Sequence, residues 1–157
     1  MSILRECVLR IPGLDRAALG EGKKALKPGH SEAVSAAPGW QFEASVDLDG
    51  GLRECFPSAN RWDYGLEIRG ANRRRRIEWV EFHPACSSDV DTVIKKKEWL
   101  EELLRDIPSC PALCSCNLHW VATGAVKIDF QRRRRMAQAG LRMPRKTLRL
   151  PVSSDGL

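Results

Sequence analysis

The stretch RWDYGLEIRGANRRRRIEWVEFHPA, residues 61–85, decides the fold. In its first part Trp62, Tyr64, Leu66 and Ile68 alternate with Asp63, Gly65 and Glu67. In IEWVEFHPA (77–85), Ile77, Trp79, Glu81 and His83 share one face, and Glu78, Val80 and Phe82 share the other. Successive side chains of a strand point to opposite sides of the sheet, so both segments read as strands. ANRRRR (71–76) between them is a polar turn, and Pro84 closes the second strand. The pattern predicts a β-hairpin with an arginine-rich tip. Paired this way, Asp63 near the start of one strand lies roughly opposite Glu81 and His83 near the end of the next.

Outward from the hairpin, SSDVDTVIKKKEWLEELLRDIP (87–108) predicts the longest helix. It has Ser88 and Asp91 in capping-box spacing, acidic residues in the first turn and Pro108 as the stop. LHWVATGAVKIDF (118–130) is a β-branched run read as a strand, and QRRRRMAQAGL (131–141) has helix-forming composition ending at Gly140. Before the hairpin, WQFEASVDLD (40–49) alternates as a strand and breaks at Gly50-Gly51. ILRECVLRI (3–11) reads as a first strand or a partner-binding region. Residues 11–30 read as a short helix and a mobile basic loop broken by Gly and Pro, and 31–40 as a short helix capped by Ser31. The tail carries a short strand at TLRL and then frays. The expectation is a single α/β domain, a mixed sheet with a central β-hairpin and flanking helices. Residues 40–150 form its core, 1–39 are a less legible segment of the same domain or a partly mobile one, and 151–157 are the frayed tail.

The chain has 157 residues, 43% of them hydrophobic, enough for one domain with a real core. Its net charge of +6 makes an acidic partner worth considering, nucleic acid first. The charge is clumped into two runs, Arg73, Arg74, Arg75 and Arg76, and Arg132, Arg133, Arg134 and Arg135. Each run is either a solvated surface or a phosphate-contacting one. Trp62 and Trp79 are either core residues or platforms for stacked bases. No apolar stretch reaches the length of a membrane span. The start, MSILRECVLRIPG, lacks the apolar core and cleavage site of a secretory leader, so the six cysteines are expected as reduced thiols in a cytoplasmic protein.

Asp63 and Glu81, with His83 one alternate position on, are a donor set for a hard divalent cation, magnesium or manganese. Such an ion activates water and neutralises phosphate. The other reading is an edge-strand pair open to solvent. Asp63, then Glu81-Phe82-His83 on the following strand, then helix 88–106, a strand from 118 and a helix from 131, resembles the PD-(D/E)-x-K nuclease superfamily, with its restriction-endonuclease-like fold. The resemblance covers residues 40–140 as element order and three positions as motif. It implies that Asp63 and Glu81 hold the metal and position the attacking water. The family's lysine is replaced here by His83, and Trp62 stands where proline precedes the first acid.

A helical wheel puts Lys97 among Val90, Val93, Ile94 and Leu104, on the apolar stripe, with Lys95 and Lys96 pointing elsewhere. Lys97 then either replaces the missing lysine or pairs with Glu101 one turn on. Asp47 is a further acid from the preceding strand or a turn residue. Cys110, Cys114, Cys116 and His119 form a second group, read as loop thiols or a soft-metal clip of unfamiliar spacing.

The expected function is metal-dependent hydrolysis of phosphodiester bonds in nucleic acid. Asp63 and Glu81 serve as ligands, His83 as third ligand or water-orienting base, Lys97 as charge stabiliser, and the arginine runs hold the substrate backbone. The alternatives are a catalytically degenerate nucleic-acid-binding module on the same fold, and an adaptor that meets an acidic protein. A homodimer is left open.

Overall fold

The computed structural model describes residues 2–107, 110, 113 and 117–153. In chain order it has α1 (Ile3–Val8), β1 (Leu19–Glu21), α2 (Pro28–Ala33), β2 (Val34–Ala36), β3 (Gln41–Asp47) and α3 (Leu48–Gly51). There follow β4 (Tyr64–Arg69), β5 (Arg75–His83), α4 (Val90–Arg105), β6 (Leu118–Ala122), α5 (Phe130–Gln138) and β7 (Leu148–Leu150). The architecture is mixed α/β. A five-stranded sheet runs β1-β3-β4-β5-β6, antiparallel except for the parallel pair β5–β6, and β2 pairs with β7 in a small parallel sheet. Parallel neighbours need a crossover, and α4 supplies it.

The hairpin forms in the expected register, Tyr64 opposite Val80 and Arg69 opposite Arg75. Its two faces enter two apolar cores. Ile77 and Trp79 pack with Leu4 and Val8 of α1 and with Val93, Ile94 and Leu100 of α4. Leu66, Ile68, Val80 and Phe82 pack under Leu26, Val34, Leu148 and Leu150 on the other side. Gly65 is required here: a Cβ on it would lie 2.5 Å from the Trp79 ring. In β3 the pairing slips between Phe42 and Ala44, so Phe42 sits in one core and Ala44 and Val46 in the other. A bulge of this kind rotates the strand.

Several local expectations are corrected. Residues 3–8 are helical, not extended, because Leu4, Cys7 and Val8 are buried at helical spacing and the N-terminus is doubly capped. Ser2 Oγ accepts from Arg5 N (3.1 Å), and the buried Glu67 carboxylate of β4 accepts from Leu4 N (2.9 Å) and Ser2 Oγ (2.5 Å). A carboxylate at the positive end of a helix is favourable in both charge and hydrogen bonding. Trp62 precedes β4 and is buried in the core under α4, not on the face of Tyr64 and Leu66. The turn into α4 is closed by Asp89, which accepts from Cys86 N (2.9 Å), rather than by Ser88 and Asp91. The expected helix over 31–40 lies earlier, as α2, and gives way to β2. The short strand near the C-terminus is β7; of the tail expected to fray, 151–157, residues 154–157 lie outside the described residues. Cys7 and Cys110 form a disulfide across 5.9 Å between Cα atoms, which overturns the expectation of reduced thiols throughout. No helix among the described residues is long and apolar enough to cross a membrane.

Candidate functional site

Asp63 stands one residue before β4, and the hairpin register carries it opposite Glu81. The two are tied reciprocally: Asp63 N donates to Glu81 Oε2 (2.9 Å), and Phe82 N donates to Asp63 Oδ2 (2.9 Å). The Asp63 carbonyl is held from behind by Leu48 N (2.8 Å) and Asp49 N (3.3 Å), at the start of α3. Glu81 has no exposed surface, and Asp63 is half-buried. The cation that reaches them is Lys96, whose ammonium pairs with Glu81 Oε1.

Burial, reinforced by the charge of Asp63, pushes the Glu81 carboxyl up to about 8, against the pull of Lys96. Burial also raises Asp63, opposed by the Phe82 N–H and by Lys96. Desolvation and a like charge act together on this pair, the pattern by which protein sites hold carboxylates away from their ordinary values.

No family model, curated protein or solved structure matches the chain.

Lys97 does lie on the apolar stripe with Val90, Val93, Ile94 and Leu104, and takes the second of the two roles open to it, pairing with Glu101. Lys96, at the edge of that stripe, does not point elsewhere as expected: it reaches Glu81. Both lysine side chains are only 17% exposed, so burial alone does not separate them; the partner does. His83 is on the expected face of β5 but turns away from the acids. Its Nδ1 lies 3.0 Å from the Pro84 carbonyl and 3.7 Å from Asp89, and its ring meets Trp120 edge-on. Asp47 takes the turn role, capping α3 by accepting from Gly50 N (2.8 Å), while its charge still raises Asp63.

The arginine runs do not bracket one groove. Arg73–Arg76 occupy the hairpin tip, six residues along β4 from Asp63, roughly 20 Å at strand rise. Arg75 pairs with Glu67 (2.6 Å) and Arg76 with Glu78 (3.2 Å), leaving Arg73 and Arg74 exposed. The second run lies at the acid end of the sheet. Arg132 (3.1 Å) and Arg135 (2.6 Å) share Asp91 in the first turn of α4, and hydrogen bonding from Arg135 holds that carboxyl below its ordinary range. Arg133 donates to the Ile128 carbonyl (2.9 Å), and Arg134 is exposed.

Of the cysteine group, Cys110 is bonded to Cys7, and His119 is buried 2.7 Å from Glu78. Cys114 and Cys116 lie outside the described residues. Among the described residues no three His, Cys, Asp or Glu side chains gather in a metal-holding group.

Sequence reasoning missed the buttress behind the acids. His30 of α2 stacks on Phe82 (4.0 Å between ring centres) and places Nδ1 2.9 Å from the Tyr64 hydroxyl. Tyr64 follows Asp63 and Phe82 follows Glu81, so α2 braces both acids from the opposite face. Burial pushes Tyr64 up to about 12, and burial with nearby Lys27 lowers His30. No periodic signal in KPGHSEA gave this away.

Proposed function

We propose that the protein is a metal-dependent phosphodiesterase acting on nucleic acid, with Asp63 and Glu81 as metal ligands and Lys96 as the charge-stabilising cation. One observation carries the reading: two carboxylates on neighbouring antiparallel strands and a lysine from the crossover helix converge on one point. The proposal places the chain with the PD-(D/E)-x-K nucleases, with a restriction-endonuclease-like fold. Lys96, arriving from α4, takes the part that His83 cannot supply from β5. A magnesium or manganese ion suits the pair chemically. Two hard oxygen donors with one ammonium on Glu81 carry an excess negative charge once both carboxyls are ionised, which Glu81, pushed up to about 8, reaches in mildly alkaline solution or when a cation binds. Magnesium commonly takes one or two carboxylates with water and phosphate completing its shell. Held by Asp63 and Glu81, such an ion would polarise a phosphoryl oxygen and would lower the pKa of a bound water.

The chain's own groups then have separate tasks. The Asp63 carboxylate is fixed through Oδ2 by Phe82 N and serves as the metal ligand. Lys96 sits beside the acids, where negative charge develops on a phosphoryl group in transit. The second arginine run lies at this end of the sheet and holds the flanking backbone, with Arg134 the most available.

The test is cleavage of labelled single- and double-stranded DNA and RNA with magnesium, manganese or EDTA. Asp63→Asn is expected to abolish turnover, and Lys96→Met to lower it by about 10²-fold or more, as loss of one preorganised electrostatic group does. Lys97→Met should stay within about threefold, since Lys97 pairs with Glu101 and not with the acids. Activity that persists in EDTA, or that survives Lys96→Met and falls in Lys97→Met, refutes the assignment.

A second reading, a binding module without turnover, is favoured by one feature: Glu81 is fully buried and both its oxygens are engaged. Folded protein that binds oligonucleotide and takes up no divalent ion in a calorimetric titration decides for it.

A further inference from the structure

The first arginine run has no part in the acid site, yet the hairpin tip is not plain surface. A cavity of about 500 Å³ opens there, lined by Trp40, Gln41, Arg69, Gly70 and Arg73. Trp40 is half-buried and lies flat against the backbone: three of its ring atoms are 2.9–3.0 Å from where a Cβ on Gly70 would stand. Gly70 is thus the one residue type that lets the indole lie there. The turn that frames the cavity is conformationally strained. Asn72 (φ 60) and Arg73 (φ 57) are consecutive non-glycine residues in the left-handed region, held by Gly70 N donating to the Arg74 carbonyl at 2.8 Å. Strain of this kind persists where surrounding structure enforces it and clusters at ligand-holding turns. Its effect here is to make Arg73 part of the cavity wall. Arg69 is tethered to Glu43 at 3.4 Å, whereas Arg73 has no ion-pair partner among the described residues.

The geometry points to a nucleotide-binding site at the hairpin tip, with the base against Trp40 and the phosphate on Arg73 and Arg69. The cavity has the volume of small-molecule sites. An aromatic plane beside arginine forks is the combination that takes a base and its phosphate together, by stacking and by bidentate charge-assisted hydrogen bonds. The ligand is a free nucleotide or the terminal nucleotide of a strand. The site stands apart from catalysis, roughly 20 Å along β4 from Asp63.

The test is calorimetric and fluorescence titration of Asp63→Asn protein, without metal, using 5′-AMP, a hexameric oligoadenylate and ribose 5-phosphate. Binding of 5′-AMP or the oligomer with tryptophan quenching is expected, and Trp40→Phe should remove most of the quenching. Arg73→Gly should weaken binding by about tenfold, within the range of a lost phosphate fork. That variant is safe for the fold, because glycine is at ease at φ 57. Tighter binding of 5′-AMP identifies a free nucleotide as ligand, and tighter binding of the oligomer identifies a strand end. No binding of 5′-AMP or the oligomer, equal affinity of the Asp63→Asn protein with and without Arg73→Gly, quenching unchanged in Trp40→Phe, or ribose 5-phosphate binding as well as 5′-AMP each overturns the proposal. Because the protein used is catalytically disabled, these outcomes are independent of whether the acid site cleaves anything.

Discussion

Replacing Glu81 with glutamine should stabilise the protein at neutral pH. The wild-type carboxyl titrates near 8 in the folded state against an ordinary value of 4.5. Between those values the unfolded chain has released this proton and the folded chain holds it, so folding stability falls as pH rises from 4.5 to 8 and levels off above. At pH 7 the penalty covers two and a half pH units at about 1.4 kcal/mol each, so about 3 kcal/mol, and at pH 5 it is below about 1 kcal/mol. Glu81→Gln keeps an acceptor for Asp63 N and carries no charge, and Lys96, partly exposed, can extend to water. Urea unfolding at pH 5, 7 and 8.5 measures the difference directly. The variant should gain little at pH 5, about 3 kcal/mol at pH 7 and more at pH 8.5. Magnesium should stabilise wild type and leave the variant unchanged, since only the ionised pair attracts it. A variant that is less stable than wild type at pH 8.5, or whose advantage does not grow with pH, refutes the account of Glu81 as a charge held at energetic disadvantage. Stability surrendered at a position useful for binding is the usual mark of a functional site.

Gly65→Ala places a methyl group 2.5 Å from the Trp79 ring and 3.1 Å from Val46, in the middle of the sheet. It should destabilise by about 1–3 kcal/mol as an overpacked core does, read by the urea midpoint. Replacing Cys7 and Cys110 together by serine releases a link spanning 103 residues and should lower stability by about 2–4 kcal/mol, with wild type under reductant showing a comparable loss. Glu67→Ala removes the acceptor at the start of α1 and leaves Arg75 without its closest carboxylate, and should unfold α1 first, seen as early hydrogen exchange at Cys7 and Val8.

By itself the sequence determined the hairpin over 61–85, its register, the long crossover helix and the start of the strand that follows, which reads as 118–130 and ends at Ala122. All of these rest on local periodicity, which reflects the face each side chain must bury. It also determined that Asp63 and Glu81 would meet, because register fixes neighbours across a hairpin. What it could not determine was anything set by contacts between elements. Residues 3–11 read as a strand or a partner-binding region, yet they form α1, stabilised by Glu67 from another strand, and β2 exists only because β7 pairs with it more than a hundred residues later. The choice between Lys96 and Lys97 lay within one residue of helical phase. Lys97 lies within the apolar stripe and Lys96 at its edge, and only the docking angle of α4 on the sheet brings Lys96 onto Glu81 and leaves Lys97 to Glu101. The arginine runs were legible as charge, but their places at opposite ends of the sheet were not. Charge density is written along the chain, whereas the distance between charges is decided only when the strands have folded back on one another.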